Sequence, residues 1–220
     1  MSKSPSRRSA ADPSAGEIIG LYQRHAAAWD RARGRTTFAE RTWIERFVAI
    51  AGPAGAVLDL GCGSGEPIAR RLVDMGLSVT GIDASAALID LCRARMPEQT
   101  WIVGDMRTLT LGRRFDGVIA WHSFFHLPHD DQRRMFDVFA AHCRSGGALM
   151  FTSGPARGEA IGRFEGEKLY HASLDPDEYR TRLANAGFQV IDHVAEDPAC
   201  NGDTIWLARR GPGPTHGEAS

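Results

Sequence analysis

The stretch from Val57 to Gly65 reads Val-Leu-Asp-Leu-Gly-Cys-Gly-Ser-Gly and constrains the fold more than any other part of the chain. A short apolar run that includes Asp59 predicts a buried strand, and the three alternate glycines predict a tight turn directly after it. Glycine has no Cβ, so it adopts φ > 0 and lets a ligand approach the backbone closely. The segment therefore predicts a strand and a loop that holds a nucleotide-sized ligand.

Composition limits the class of protein. The chain has 220 residues, 43% of them hydrophobic, which fits one large domain. The formal net charge of -1 gives no basic excess for a nucleic-acid backbone. No apolar run approaches the roughly 18 residues of a membrane span, and the N-terminus lacks the apolar core of a secretory signal. We therefore expect a cytoplasmic protein with neither nucleic acid nor membrane as a partner.

The cysteines predict reduced thiols. They are widely spaced and form no CxxC pair, which argues against a structural zinc site or a disulfide framework. The four positions are Cys62, Cys92, Cys143 and Cys200.

Strands and helices alternate along most of the chain. This alternation predicts parallel strands with helical crossovers, and hence an open α/β sheet with helices on both faces. Residues 1–15 and 211–220 are predicted as disordered tails around a single domain, 16–210, with N-terminal helices at 16–51. The glycine-rich segment 154–172 shows little periodicity and is predicted as a long lid loop. The strands are predicted at 56–60, 78–82, 100–103, 115–121, 148–153, 188–194 and 204–208.

Acidic residues follow the first three strands, at the edge where open parallel sheets bind ligands. Asp83 lies 18 residues beyond Gly65, near the spacing of an acid that accepts both ribose hydroxyls of an adenosine. The alternative is a helix N-cap, because Ala84 and Ser85 follow it. Asp105 beside Met106 suits an adenine ring, although Gly-Asp is also common in turns.

The glycine spacing discriminates between adenosine cofactors. Dinucleotide folds use GxGxxG to place a pyrophosphate at a helix N-terminus. Gly61, Gly63 and Gly65 instead form GxGxG, and Glu66 follows, which would repel phosphate. The spacing favours a ligand without pyrophosphate over a nicotinamide cofactor.

Taken in order, the motifs at 59–65, Asp83, 104–106 and 115–120 resemble those of class I S-adenosylmethionine-dependent methyltransferases. The resemblance covers about residues 17–209 and implies a Rossmann-like seven-stranded sheet of order 3-2-1-4-5-7-6 with strand 7 antiparallel and an N-terminal helical cap. It implies S-adenosyl-L-methionine as cofactor, methyl transfer to a small-molecule acceptor, and a monomer or homodimer. The expected cofactor residues are Asp59, Gly61, Cys62, Gly63, Gly65, Asp83, Ala84, Asp105, Met106, Trp121, Tyr22 and Trp29, the last two being open also to simple core packing.

Residues 121–128 follow the fourth strand, where the methyl group is expected to point. His126 is the candidate general base, because imidazole titrates near neutral pH; a histidine satisfied by a backbone carbonyl is the alternative. His122, His126 and His129 are not spaced as a metal-binding helix motif, so no metal is expected. The residues expected to meet the acceptor are His122, Phe125, Arg163, Tyr170 and His171.

Two other classes of protein stay open at this point. A non-catalytic S-adenosylmethionine-binding protein would keep the same cofactor motifs, and a nicotinamide-dependent oxidoreductase would share Asp83 but need GxGxxG. The acceptor atom, whether O, N, S or C, is not decided by these residues.

Overall fold

The computed structural model describes residues 12–33 and 38–212. Seven α-helices and nine β-strands lie in this part of the chain. In chain order they are α1 (Ile18–Arg24), α2 (Ala26–Arg33), α3 (Arg41–Ala51), β1 (Ala56–Leu60), α4 (Ile68–Asp74), β2 (Ser78–Asp83), α5 (Ala86–Arg95), β3 (Thr100–Val103), β4 (Phe115–Ala120), α6 (His129–His142), β5 (Cys143–Ser153), β6 (Gly158–Phe164), β7 (Glu167–Ser173), α7 (Pro176–Asn185), β8 (Phe188–Asp197) and β9 (Asp203–Arg210).

Seven strands form one sheet in the order β3-β2-β1-β4-β5-β9-β8. The first five strands are parallel, and β9 is antiparallel to both of its neighbours. The predicted order, with the last strand inserted antiparallel before the end of the sheet, is therefore confirmed. The carboxyl ends of β1, β2 and β4 consequently lie side by side.

Each face of the sheet is covered by helices. On one face, Phe47 of α3 packs against β4 and β5, and Leu72 of α4 packs against β2. On the other, Phe139 of α6 and Tyr179 of α7 pack against β4 and β5. All four side chains are fully buried, which explains why the strands read as continuous apolar runs.

The segment predicted as a lid loop is instead a β-hairpin. Strands β6 and β7 pair through seven residue pairs, and the two-residue turn Glu165-Gly166 has φ of 50° and 83°. Positive φ at both turn positions matches the right-handed twist of a hairpin. The many glycines of this segment hid the pattern of its two strands, although a glycine such as Gly166 in a two-residue turn is typical of a β-hairpin.

The N-terminal region also differs from its prediction. Asp12 caps a 3-10 helix, Pro13–Glu17, so the last part of the predicted tail 1–15 is ordered. The first part of the predicted helical region 16–51 is divided at His25 into α1 and α2. Residues 1–11 and 213–220, and with them most of the two predicted tails, lie outside the described residues.

Candidate functional site

Two adjoining cavities lie beyond the carboxyl ends of β1, β2 and β4. The larger has a volume of about 870 Å³ and the smaller about 340 Å³. The residues common to both cavities are Trp29, Gly61, Gly63 and His122. A ligand occupying both would therefore pass over the glycine loop, as the sequence predicts.

The glycine loop is fixed by backbone hydrogen bonds to the end of β2. The amides of Gly61 and Cys62 both donate to the carbonyl of Ile82, at 2.7 and 3.0 Å. Gly61 has φ of 73°, and a Cβ there would lie 2.3 Å from the Cβ of Ser123. At Gly63 (φ 56°), a Cβ would lie 3.2 Å from the indole Nε1 of Trp29. Both positions need glycine for geometry and for space.

Gly65 and Cys62 have roles that the spacing alone did not separate. A Cβ at Gly65 would lie 2.6 Å from Met96 Cε, and Gly65 lines neither cavity. Its glycine is required by core packing, so the predicted ligand contact of Gly65 is not found. Cys62 lines the smaller cavity, and burial raises the pKa of its thiol well above the usual range.

Asp83 holds the loop and faces the larger cavity. Its carboxylate accepts from the amide of Gly63 at 2.9 Å and from the amide of Ser85 at 2.8 Å. Ser85, rather than Asp83, is the N-cap of α5, because its hydroxyl accepts from the amide of Leu88. Burial raises the pKa of Asp83, while the two amide hydrogen bonds oppose that shift. The N-cap role that the sequence left open for Asp83 is therefore taken by Ser85.

The far wall of the larger cavity combines apolar and acidic side chains. Met106, Ala84 and Asp105 line it as expected, together with Ile82 and Leu88. Asp105 accepts from the backbone amide and the guanidinium of Arg107, which also lines the cavity. Burial would raise the pKa of Asp105, but the hydrogen bonds from Arg107 outweigh burial and lower it. These side chains offer apolar faces and one acceptor to a planar base.

Asp59 is the last residue but one of β1, lies beside the smaller cavity and is 2% exposed. Burial, and next the nearby charge of Asp83, raise the pKa of Asp59 to about 7. A carboxyl group in this state ionises more readily when a cation binds near it. Asp59 therefore suits a ligand that carries positive charge.

The smaller cavity contains Arg33, which the sequence did not single out, together with Trp121, which was an expected cofactor residue. Arg33, at the end of α2, lines it and forms an ion pair with the buried Glu40 at 3.1 Å. Trp121 also lines it, and its indole Nε1 is buried with no hydrogen-bond partner among the described residues. With Asp59 and Glu66 on the same lining, the cavity offers donors for a carboxylate and acids for an ammonium group.

Tyr22 and Trp29 both line the larger cavity, as expected for cofactor residues. Their rings are in edge contact at 5.1 Å, and Phe164, at the end of β6, packs against both at 6.4 and 5.8 Å. The two interpretations of Tyr22 and Trp29, ligand contact and packing, therefore both apply, since each ring faces the cavity and packs on its neighbours.

His126 is 7% exposed and hydrogen-bonded through both ring nitrogens. Its Nδ1 lies 2.7 Å from the carbonyl oxygen of Tyr170, so Nδ1 carries a proton and donates. Its Nε2, at 2.8 Å from the Tyr22 hydroxyl, then accepts. Burial is the main cause that lowers the pKa of His126, to about 3. His126 therefore lines the larger cavity as a neutral imidazole. Its bond to the Tyr170 carbonyl matches the alternative prediction, a histidine satisfied by a backbone carbonyl.

The residues expected to meet the acceptor separate into two groups. His122, Phe125 and His171 lie together beside His126, with the Phe125 ring 5.9 Å from His122 and 5.1 Å from His171. Arg163 is exposed and donates to the carbonyl of Gly166 across the hairpin turn.

Tyr170 is fully buried among Ile18 and Ala172, and its hydroxyl donates to Glu159. Side chains alternate between the two faces of a strand, so Tyr170 and its neighbour His171 in β7 point to opposite faces of the hairpin. The side chains of Arg163 and Tyr170 are therefore not placed beside the other three.

Neither a metal-binding cluster nor a membrane-spanning helix is found among the described residues. No group of three or more His, Cys, Asp and Glu side chains in residues 12–33 and 38–212 is placed to hold a metal ion. None of the helices in those ranges is long and apolar enough to cross a membrane.

The strand order, the glycine loop and the acid at the end of β2 together define a class I methyltransferase fold. Residues 57–147 match the family model described as a methyltransferase domain. The matched segment contains the glycine loop, Asp83 and Asp105, so residues 57–147 resemble the methyltransferase domain that this model describes.

Several relatives share sequence with this chain. It is 31% identical over 138 residues to a dTDP-3-amino-3,6-dideoxy-alpha-D-glucopyranose N,N-dimethyltransferase of Streptomyces fradiae, an alignment that covers 61% of this chain and 52% of that protein. It is 33% identical over 116 residues to a ubiquinone biosynthesis O-methyltransferase of Coxiella burnetii, covering 50% and 47% of the two chains. The matches thus span about half of each relative's length.

Solved structures share the fold at lower identity. A 1,6-didemethyltoxoflavin-N1-methyltransferase of Burkholderia thailandensis, with 1,6-didemethyltoxoflavin and S-adenosylhomocysteine bound, aligns with a TM-score of 0.72 at 18% identity and covers 94% of both chains. A magnesium protoporphyrin IX methyltransferase of Synechocystis, with S-adenosylmethionine bound, aligns with a TM-score of 0.68 at 19% identity, covering 93% of this chain and 100% of that one.

Proposed function

We propose that the protein is a methyltransferase that uses S-adenosyl-L-methionine to methylate a small-molecule acceptor by in-line displacement. The observation that carries this proposal is the pair of cavities joined over Gly61 and Gly63. The larger offers apolar walls and Asp83 to a nucleoside, and the smaller offers paired cationic and acidic groups to an amino acid. A nucleoside joined to an amino acid through one sulfur fits this arrangement.

The residues present fit the cofactor on two independent observations. Side chains are excluded at Gly61 by Ser123, so that the loop leaves bare backbone beside the cavity. Trp121 Nε1 is a buried donor that a carboxylate at the smaller cavity would satisfy, with Arg33 beside it. Asp83 would accept the ribose hydroxyls, since each of its oxygens keeps a lone pair beyond its amide bond.

The chain's contribution to the reaction is mainly positioning. S-adenosylmethionine, when bound, supplies a methyl group already activated by positive sulfur. An acceptor held in line with that methyl group reacts over a lower barrier, because the entropic cost of bringing the two reactants together is met on binding. Asp59 would balance the ligand's positive charge, and the edges of Tyr22 and Trp29 would exclude water from the site.

Calorimetry and a turnover assay test the function. We expect S-adenosylmethionine and S-adenosylhomocysteine to bind and NAD not to bind. We then expect S-adenosylhomocysteine release with at least one acceptor from a panel of amino sugar nucleotides, phenols and nitrogen heterocycles. Binding of NAD instead would indicate an oxidoreductase. Cofactor binding without any turnover would favour the non-catalytic binder.

Asp59 predicts a pH dependence of cofactor affinity. Because its pKa is raised to about 7, Asp59 is protonated below that pH in the free protein and must lose a proton to meet a cationic ligand. Affinity for S-adenosylmethionine should therefore rise by up to about tenfold per pH unit as pH increases toward 7, and level off above it. Calorimetry in two buffers should show proton release at pH 6.

The matched variants are Asp59→Asn and, as a control, Asp74→Asn on the exposed surface of α4. Asp59→Asn should abolish the pH dependence and the proton release, and Asp74→Asn should preserve both. An affinity that stays constant from pH 5.5 to 8 in the unaltered protein would contradict this role of Asp59.

We propose that His126 supports turnover through its hydrogen bond with Tyr22. Replacing His126 by Ala leaves the Tyr22 hydroxyl and the Tyr170 carbonyl unpaired in a buried place, which should lower the free energy of unfolding by about 2–4 kcal/mol. Turnover should fall about tenfold with little change in cofactor affinity. Denaturant unfolding, calorimetry and the release assay measure the three quantities.

Tyr22→Phe is the companion variant, because it removes only the hydroxyl that His126 accepts from. It should reproduce the loss of turnover with a smaller loss of stability. Unchanged turnover in both variants would assign His126 a purely structural role.

We propose that the β6–β7 hairpin is the lid over the acceptor side of the site. Its tip lies on the N-terminal helices: Phe164 packs on Tyr22, Trp29 and His25, and Glu167 pairs with Arg24 and His25. The two strands form a separate sheet with no pairing to the main sheet among the described strands. The middle of β7 is anchored by the hydrogen bond from His126 to the Tyr170 carbonyl, so movement is expected at the tip.

Glu167→Gln should loosen the lid. The Arg24 guanidinium, and next His25, lower the pKa of Glu167 to about 2, so its carboxylate is ionised and pairs with both side chains at neutral pH. The substitution removes that charge. Hydrogen exchange of the backbone amides at 163–168 should become at least severalfold faster.

Glu165→Gln is the control for the lid, because Glu165 lies in the same turn and is exposed. It should leave exchange at 163–168 unchanged. Equal exchange in the Glu167 variant and the unaltered protein would show that the ion pairs do not hold the hairpin tip.

We also propose a cytoplasmic protein whose partner is a small acceptor, with neither nucleic acid nor a membrane surface, acting as a monomer or homodimer over a single domain, 16–210. The formal net charge of -1 supports the absence of a nucleic-acid partner. All four cysteines are buried free thiols, which supports a reducing compartment.

A further inference from the structure

His122 occupies the junction between the two cavities. It is the second residue after β4 and, among the described residues, the one titratable residue that lines both cavities. Under the proposed function, a cofactor spanning both would place its sulfur and methyl group at this junction. His122 is therefore the ionisable side chain of the described site nearest to the expected point of reaction.

The imidazole of His122 is held from two elements. Nε2 lies 2.8 Å from the carboxylate of Asp203, the first residue of β9, so the Nε2 proton is donated to Asp203. Nδ1 is then the acceptor nitrogen, with the Arg33 guanidinium at 3.5 Å. That distance is at the long limit of a hydrogen bond, so Nδ1 keeps capacity for a shorter one.

The backbone of His122 is strained in a way that favours a function for its side chain. Its φ is 49°, in the left-handed region that only about a few per cent of non-glycine residues adopt, and its amide donates to the Thr152 hydroxyl at 2.9 Å. Strained non-glycine residues of this kind occur preferentially at ligand-binding and catalytic positions. The strain places the imidazole between the cavities.

The other histidines of this region are less suited to accept a proton. His126 uses Nδ1 to donate to a carbonyl and Nε2 to accept from Tyr22. His129 Nε2 lies within 3.1 Å of two backbone carbonyls, of Gly158 and Ser173, so that this nitrogen donates. Only His122 among these three pairs a carboxylate with an acceptor nitrogen beside the cavities.

We propose that His122, oriented by Asp203, is the proton acceptor of the methyl-transfer reaction; this rests on the proposed function. The acceptor's O–H or N–H group attacks the methyl carbon, whose bond to sulfur breaks with its electron pair going to sulfur. The proton of the acceptor passes to Nδ1 of His122. The resulting imidazolium is stabilised at Nε2 by the Asp203 carboxylate, which acts as a positioning residue.

The test uses variants that suit the backbone. Asparagine and glycine both tolerate φ near 50°, so His122→Asn and His122→Gly should fold. With the first acceptor that gives turnover in the panel above, His122→Asn should lower kcat about 100-fold, the scale of a lost general base. Affinity for S-adenosylhomocysteine should change less than threefold. Free imidazole should restore turnover to His122→Gly but not to the His126→Ala protein.

A second readout is independent of turnover. In protein labelled with ¹⁵N-histidine and saturated with S-adenosylhomocysteine, the signal absent from His122→Asn should show the tautomer protonated at Nε2. Asp203→Asn should shift that signal toward a mixture of tautomers, and Asp203→Glu should restore it. A merely structural role for Asp203 would leave the tautomer unchanged.

The outcomes separate the two proposals. Turnover within twofold of the unaltered protein in His122→Asn, or imidazole rescue of the His126 variant alone, would overturn the role of His122 while leaving the methyltransferase proposal intact. An unchanged tautomer in Asp203→Asn would overturn the pairing. A protein that binds the cofactor but never releases S-adenosylhomocysteine would overturn both proposals.

Discussion

Replacing Asp83 by Ala should lower the affinity for S-adenosylmethionine at least about 100-fold. The carboxylate is expected to accept two ribose hydroxyls, and hydrogen bonds to a charged group contribute about 1.5–3 kcal/mol each, of which 1.4 kcal/mol corresponds to a factor of ten. The same substitution leaves the amides of Gly63 and Ser85 without their acceptor. The glycine loop therefore loses the hydrogen bond of Gly63 to the end of β2, while those of Gly61 and Cys62 to the Ile82 carbonyl remain, and this partial loss adds to the loss of affinity.

Calorimetry with S-adenosylhomocysteine measures this effect, and Asp90→Ala is the matched control. Asp90 lies in the middle of α5, the helix that follows Asp83, and its side chain is 71% exposed and pairs with Arg93. Its removal should change affinity less than twofold. If Asp83→Ala bound the cofactor as tightly as the unaltered protein, the ribose contact would be assigned to the wrong residue.

Gly61→Ala should both destabilise the fold and abolish cofactor binding. The added Cβ would lie 2.3 Å from Ser123 Cβ, and Ser123 cannot withdraw easily because its hydroxyl donates to the Leu60 carbonyl at 2.6 Å. Steric conflict of this kind costs about 1–3 kcal/mol, and a non-glycine residue at φ 73° costs about 1–2 kcal/mol more. A fall in Tm of about 10 °C is expected.

Gly112→Ala separates the two contributions. Gly112 has a similar φ of 66°, and a Cβ there would meet no atom within 4 Å. Its substitution should therefore show the conformational cost alone, about 1–2 kcal/mol, with cofactor affinity unchanged. Thermal unfolding and calorimetry on both variants provide the comparison. Equal losses of stability in the two would mean that the contact with Ser123 has no effect.

The cofactor side of the site was largely predictable from local sequence. A buried strand followed by Gly61 and Gly63, with Asp83 at the end of the next strand, specifies a loop and an acid at one sheet edge, because parallel strands bring their carboxyl ends together. The alternation of strands and helices predicted an open α/β sheet, and the resemblance to known methyltransferases implied the correct order of its seven strands. Gly65 was assigned to the ligand, yet spacing cannot distinguish a glycine facing a ligand from one facing Met96.

The acceptor side was less predictable, because its contacts join distant parts of the chain. His122 meets Asp203 across 81 residues, and Tyr22 meets His126 across 104 residues. Neither pairing leaves a periodic signal in the sequence. The hairpin was also missed, since its strands contain glycines that resemble a loop until Glu165-Gly166 is seen to pair them.

The sequence by itself determined the class of fold, the glycine loop and the position of Asp83 beside that loop. These features depend on local backbone conformation and on the order of neighbouring strands. Only the tertiary structure decided which ring nitrogens of His122 and His126 are occupied, that Arg33 reaches the smaller cavity, and that Tyr170 points into a core. These depend on which side chains meet after the sheet has closed, and burial and hydrogen bonding there then set the charge of each group.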